Sequence, residues 1–104
     1  RSGRRVAVLG DMLELGTAAQ AEHYRVGRIA AEKADIVFAY GPNASRVLSG
    51  AITGGMPDGK VQAFDDRDIC AAALRRVARP GDTILFKGSH GMHMELILEA
   101  FLAE

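Results

Sequence analysis

The sequence predicts an α/β fold, a three-layer α/β/α domain built around a mostly parallel sheet. Two observations carry that expectation. Short, nearly continuous apolar runs end in or beside glycine, as buried parallel strands do. Helix-period segments separate them, each able to carry the chain back across a sheet.

The strands are read first. "RRVAVLG" ends at Gly10, "ADIVFAYG" at Gly41, "GKVQAF" at Phe64 and "GDTILFKG" at Gly88. "VAVL" and "TILF" are apolar without alternation, which suits strands covered on both faces. Residues 18–33, "AAQAEHYRVGRIAAEK", are rich in helix formers and place Val26, Ile29 and Ala30 on one face, with Thr17 as a candidate cap. "NASRVLSGA" from Asn43 is a shorter helix capped by that asparagine. "DRDICAAALRRVA" starts near Asp66, sets Ile69, Ala73 and Val77 on one side, and stops before Pro80 and Gly81. "MHMELILEAFL" puts Met94, Ile97, Leu98 and Phe101 at i, i+3, i+4 and i+7. "TGGMPDG", residues 53–59, is the one Gly/Pro-rich loop.

The order β-α-β-α-β-α-β-α, with right-handed crossovers, predicts strand order 3-2-1-4 in a Rossmann-like domain. Ligands of such sheets bind beyond the carboxyl ends of the strands, where the order reverses. That is beside strand 1, so the loops "GDMLELG" and "KGSHG" should meet there.

Composition narrows the function. The 104 residues make one domain, 48% hydrophobic and 25% charged, large enough for a core without disulfide staples. Thirteen basic residues balance thirteen acidic ones, which argues against an extended nucleic-acid or anionic-membrane surface. No apolar run approaches a membrane span and no signal-peptide pattern is present. The single cysteine, Cys70, reads as a small buried hydrophobe on the third helix. The chain starts close to a strand without an initiating Met, as a piece cut from a longer protein would.

Neither loop is a complete nucleotide motif: there is no G-x-G-x-x-G, no P-loop, no H-E-x-x-H and no zinc-ligand set, so no metal site is expected. Several residues are nonetheless candidates for chemistry. Lys87 follows "TILF" and should turn to the strand ends, where it is either solvated or holds an anion. Ser89 and the N–H groups of "SHGM" are placed at the start of the last helix, to cap it or to form an anion site. His90 stands beside them. Asp11 opens the first loop, where a carboxylate holds a ribose hydroxyl or a metal-bound water, or closes an Asx turn. Glu14 is a weaker candidate in the same loop. Met12, Leu13 and Leu15 pack against a missing neighbour or line a flat ligand. His23 and Gly27, four apart, mark a close backbone approach, with His23 a core-edge histidine or a face of the crevice. Glu95 lies in the first turns of the last helix, as a favourable charge or a contact to the partner loop.

Taken together, "LGDMLELG", the "H..VG" step from His23 to Gly27, and "KGS....ME" from Lys87 to Glu95 resemble the C-terminal domain of the Mur ligases. The branch most similar is the one that adds D-alanyl-D-alanine to UDP-N-acetylmuramoyl-tripeptide. Many members carry arginine where this chain has His90. The resemblance implies a three-domain, cytoplasmic, ATP- and Mg2+-dependent ligase of peptidoglycan synthesis that works through an acyl phosphate. Its central P-loop ATPase domain would be this domain's partner and would hold most of the nucleotide and magnesium. Asp11 and Glu14 would then lie on the nucleotide side. Lys87, Ser89 and His90 would face the dipeptide carboxylate or acyl phosphate, with His23 and Glu95 behind them. The chain alone would be inactive. A sister amino-acid ligase, or a flavodoxin-like binding domain without activity, is the alternative.

Overall fold

The computed structural model describes residues 3–103, apart from the side chain of His90. Four strands, β1 (Arg5–Gly10), β2 (Ile36–Tyr40), β3 (Val61–Phe64) and β4 (Thr83–Lys87), form one sheet in the order β3-β2-β1-β4. All neighbours are parallel, with Val8 opposite both Phe38 and Phe86. The expected strand order therefore holds. Four helices alternate with the strands: α1 (Ala19–Lys33), α2 (Ala44–Thr53), α3 (Arg67–Val77) and α4 (Met94–Leu102).

Strand alternation splits the core into two layers. Val6, Val8, Ile36 and Phe38 pack with Cys70, Ala71, Ala73 and Leu74 of α3 and with Met94 and Ile97 of α4. On the other face Ala7, Val37, Ala39 and Val61 pack with Val47 and Ala51 of α2, with Ala30 and Ala31 of α1 alongside. Phe38 and Phe64 meet edge to face at 5.2 Å between ring centroids. Cys70 is fully buried, and burial pushes its thiol up to about 11. No helix among the described residues is long and apolar enough to cross a membrane.

Several local expectations are corrected. Thr17 does not cap α1; residues Gly16–Ala18 form a 3-10 turn and the cap position is Ala18, with no side-chain bond. Asn43 stands at the cap of α2 but makes no capping bond, because its side chain is engaged elsewhere. By contrast Asp66 caps α3, its Oδ1 accepting the Ile69 N–H at 2.9 Å. The expected α3 stripe shifts: Ala73 is buried, but Ile69 is 59% exposed, because the α3 core face runs through Cys70, Ala71, Ala73 and Leu74. The last helix begins later than the sequence suggests. His90–Met92 form a 3-10 turn, and α4 starts at Met94 after His93 in the left-handed region, φ 52°. Nor is β4 covered on both faces: Ile84 and Phe86 face the α3–α4 layer, while Leu85 on the other side is 54% exposed.

The expected close approach at Gly27 is present. A Cβ there would stand 2.1 Å from the Val47 carbonyl oxygen, and one at Gly50 would stand 2.0 Å from that of Tyr24. Each glycine thus faces the backbone of the other helix, and α1 and α2 touch directly. Backbone cannot yield as a side chain tip does. Gly50→Ala is therefore expected to destabilise the domain by about 1–3 kcal/mol, whereas Gly59→Ala, with nothing within 4 Å, should be close to neutral. Urea unfolding of the two variants checks this.

At the opposite end of the strands, Arg4 grips the residue that leads into β4. Its Nη2 donates to Asp82 Oδ2 at 2.7 Å and to the Val77 carbonyl at 2.8 Å, and its Nε donates to Asp82 Oδ1 at 3.2 Å. The Arg79 N–H donates to the same carboxylate at 2.9 Å. Sequence reasoning passed over this pair. The Arg4 guanidinium, then the Arg79 N–H, hold the Asp82 carboxyl well below the usual carboxylate range. A carboxyl whose folded pKa is depressed stabilises the fold fully above its unfolded pKa, about 4, and loses that contribution as pH falls below it. Asp82→Asn should lower stability at pH 7 and flatten the loss on acidification between about pH 4 and 2, read from denaturant midpoints across that range.

Candidate functional site

Three loops converge at the carboxyl ends of the strands: residues 11–16 after β1, residues 41–43 after β2, and residues 88–93 after β4. The sequence brought the first and third together; the second is an addition from the structure. Asp11 joins them. It is 3% exposed, although a lone carboxylate has little reason to be buried. Both its oxygens are occupied: Asn43 N–H donates to Oδ1 at 2.9 Å and Asn43 Nδ2 donates to Oδ2 at 2.8 Å. Gly41 makes this possible. Its φ is 122°, and a Cβ there would lie 2.6 Å from Asp11 Oδ1.

The backbone following Asp11 is held from two further sides. The Met12 N–H donates to His23 Nε2 at 2.9 Å, while His23 Nδ1 contacts the Ala19 carbonyl at 2.6 Å. An N–H can only donate and a carbonyl can only accept, so the proton sits on Nδ1 and the ring is the neutral tautomer. His23 is 1% exposed, with Nε2 4.0 Å from Asp11 Oδ2. Of the two readings left open for it, the structure shows a satisfied buried histidine that supports the loop. Ser89 closes the set from β4: its N–H donates to the Asp11 carbonyl at 3.0 Å, and its Oγ accepts the Leu13 N–H at 2.8 Å. The hydroxyl hydrogen of Ser89 then remains available to donate outwards.

The other candidates fall around this frame. Ser89 does not cap the last helix, since its carbonyl closes the 3-10 turn by accepting the Met92 N–H at 2.9 Å. The N–H row of "SHGM" is thus a turn and not the first turn of α4. Lys87 is the last residue of β4, exposed, with its side chain on the α1 side of the sheet beside Leu9. Glu14 is exposed, in the left-handed region at φ 64°, so the loop turns outwards there. Glu95 is exposed and pairs with His93 at 3.4 Å, on the outside of the helix start. His90 lies in the 3-10 turn and its side chain is outside the described residues. Leu13, 41% exposed, rests over Gly91, where a Cβ would come within 2.7 Å of its Cδ1. No group of three or more His, Cys, Asp or Glu among the described residues is disposed to hold a metal ion.

The residue that the sequence reading set aside is Asn43. The only available signal was its position, directly after a Gly-Pro turn at the carboxyl end of a strand next to β1. Chemically the assembly is a preformed platform: a buried carboxylate, a neutral histidine and a serine fix two loops, and Ser89 and Lys87 stand on its rim. Asn43→Ala removes a charge-assisted bond to a buried carboxylate and is expected to cost about 1.5–3 kcal/mol. Asn43→Asp, which sets a second carboxylate against Asp11, should cost more. Thermal unfolding at pH 7 measures both.

Comparison with known proteins identifies the family to which this fold belongs. The family described as "Mur ligase, glutamate ligase domain" matches residues 1–90. The UDP-N-acetylmuramoyl-tripeptide–D-alanyl-D-alanine ligase of Bacillus subtilis is 37% identical over 93% of this chain and 21% of its own length. The ligase of that name from Synechocystis is 38% identical over 97% of this chain and 22% of its own. Among solved structures, MurF from Acinetobacter baumannii superimposes with a TM-score of 0.84 at 33% identity, covering 97% of this chain and 22% of that one. MurF from Thermotoga maritima, in complex with ADP, gives 0.75 at 27% identity over 95% of this chain and 22% of that one. This chain therefore spans about a fifth of the length of these relatives. With the family match, the identity to these relatives and the shared fold in agreement, the chain belongs to the Mur ligase family, as a C-terminal domain closely matching MurF.

Proposed function

We propose that the parent of this chain is an ATP-dependent ligase that joins D-alanyl-D-alanine to UDP-N-acetylmuramoyl-tripeptide in peptidoglycan precursor synthesis. The observation that carries this is the agreement among relatives: the ligases of Bacillus subtilis and Synechocystis, aligned over nearly the whole chain, both bear that activity in their names. In the reaction, a carboxylate oxygen of the tripeptide attacks the γ-phosphorus of ATP and ADP leaves. The dipeptide amine then attacks the acyl carbon, inorganic phosphate departs with the C–O bond, and the amine gives up a proton.

This domain supplies neither a P-loop nor a metal-ligand cluster among its described residues, so ATP and Mg2+ belong to a central domain of the parent. Its own part is to close over that domain in the cytoplasm, orient the dipeptide and exclude water. Ser89, whose hydroxyl hydrogen is not spent on the Leu13 N–H, and Lys87, a cation at the end of β4, are the groups to hold the dipeptide carboxylate or the acyl phosphate, with His90 adjacent in the turn. Asp11 serves the nucleotide side from within, by holding the loop that presents Leu13 and Glu14. His23 acts through the same loop, and Glu95 frames the far side. Without the other domains the chain is inactive.

Phosphate release by the full-length parent, with ATP, Mg2+ and the UDP-linked tripeptide, tests this reading. Turnover should require D-alanyl-D-alanine, and Ser89→Ala and Lys87→Ala should each lower kcat/KM at least about tenfold, the scale of one lost charge-assisted contact. Turnover with a single amino acid in place of the dipeptide would move the parent to a sister ligase. No turnover with any acceptor would remove the ligase reading.

A further inference from the structure

The amino ends of the strands, opposite the converging loops, carry a second concentration of polar groups. A pocket of about 220 Å³ opens there on the α3 side of the sheet, floored by Ile36 and Phe38 of β2. Four of the chain's thirteen basic residues line it: Arg4 ahead of β1, Lys60 ahead of β3, Arg76 of α3 and Arg79 in the loop after α3. Gln62 of β3 adds a neutral amide. Among the described residues no Asp or Glu lines this pocket, although the chain has as many acids as bases.

The donors around it are largely unspent. Asp82 fixes the Arg4 guanidinium through Nε and Nη2, which leaves both N–H groups of Nη1 without a partner among the described residues. The side chains of Lys60, Arg76 and Arg79 likewise make no hydrogen bond or ion pair among the described residues. The neighbouring Arg75, by contrast, is spent on the Ala100 carbonyl. Cations near the end of α3 suit its dipole, which accounts for Arg76 and Arg79. It does not account for Lys60, which another element brings to the same space. Like charges gathered around one cavity repel one another, and an anion placed between them removes that repulsion.

We propose that this pocket binds the phosphoryl group of a small soluble molecule. Lys60, Arg76 and Arg79 are its charged contacts, and Arg4 and Gln62 add hydrogen-bond donors. Guanidinium forks pair with phosphate through two parallel bonds, and a lysine adds a mobile point charge. The donors reach the pocket from separate elements, on different sides of it. A tetrahedral phosphoryl group offers three terminal oxygens to such a set, whereas a carboxylate offers two in one plane. Pockets that enclose a drug-sized ligand measure roughly 300–1,000 Å³. At about 220 Å³ this one suits a phosphate or diphosphate end and not a whole molecule of that size. The even charge balance of the chain also favours a confined ligand over a nucleic acid or an anionic membrane. A bound anion would tie the end of α3 to the entries of β1 and β3. The proposal rests on charge placement in the fold and not on the ligase reading.

The test is calorimetric titration of inorganic diphosphate into the full-length parent, without Mg2+ and at fixed ionic strength. It compares the unaltered protein with the double variant Lys60→Gln/Arg76→Gln, both exposed side chains. Arg79→Gln is a second variant, should the first fail to fold by circular dichroism and urea midpoint. Diphosphate that enters another part of the parent does so equally in every variant, so the comparison isolates the pocket. One binding event should weaken at least about tenfold in the double variant, the scale of one lost charge-assisted contact. Arg79→Gln should weaken the same event. Arg25→Gln, which removes an exposed arginine on α1 outside the pocket, should leave it unchanged. Succinate, a dicarboxylate of equal sign, should bind at least about tenfold more weakly than diphosphate. Equal binding by the unaltered protein and the folded variants would overturn the proposal, as would no binding at millimolar diphosphate. So would an equal loss in Arg25→Gln, which marks diffuse attraction, or succinate binding as tightly as diphosphate.

Discussion

The meeting of the loops at the carboxyl ends of the strands depends on one buried carboxylate. Asp11 sits where β1 stops, almost without solvent, and both its oxygens are held by Asn43 from the end of β2. Burying a charge among neutral donors is tolerable only if each donor stays in place. That requirement turns a loop into a fixed part. The neutral imidazole of His23 and the hydroxyl of Ser89 take the next two backbone N–H groups. The path of residues 11–13 is therefore set by three different elements and not by its own turn chemistry. A loop built this way holds Leu13 in one place at the strand ends.

The rest of the fold serves that arrangement from a distance. The glycine-to-backbone contact of α1 and α2 fixes where His23 hangs relative to the end of β1, since His23 lies one turn before Gly27. At the other end of the sheet, Arg4 and Asp82 tie the entry of β1 to that of β4, and Thr83 N–H donates to the Arg4 carbonyl at 2.9 Å. Strands aligned at one end and parallel along their length are also aligned at the other. The register that lets Ser89 reach the Asp11 carbonyl follows from it.

The two faces of the sheet are finished to different degrees. The α3–α4 layer is filled by Leu74, Ile97 and Phe38, all nearly inaccessible. The α1–α2 layer is closed over β2 and β3 and open over β4.

Much of this was legible in the sequence, for identifiable reasons. Apolar runs with glycine at their ends and helical periods between them determined the element order. The order, with right-handed crossovers, determined 3-2-1-4 and the place where "GDMLELG" and "KGSHG" meet. Gly27, a glycine inside a helix, announced a close approach, and Cys70 in "DICAAAL" announced a buried thiol. All of these are local patterns or consequences of chain direction. Only the tertiary structure decided that Asn43 spends its side chain on Asp11 and not on its own helix, because a cap is a contact three residues away and this bond spans 32. It alone decided that the last helix begins at Met94, since Gly91 packs beneath Leu13 from another loop. The Arg4–Asp82 pair, 78 residues apart in sequence, had no local signature at all. Periodicity could say that Val26, Ile29 and Ala30 share an apolar face, but not what that face meets. Pattern reports which side of an element avoids water, and only the assembled sheet shows whether something is there to cover it.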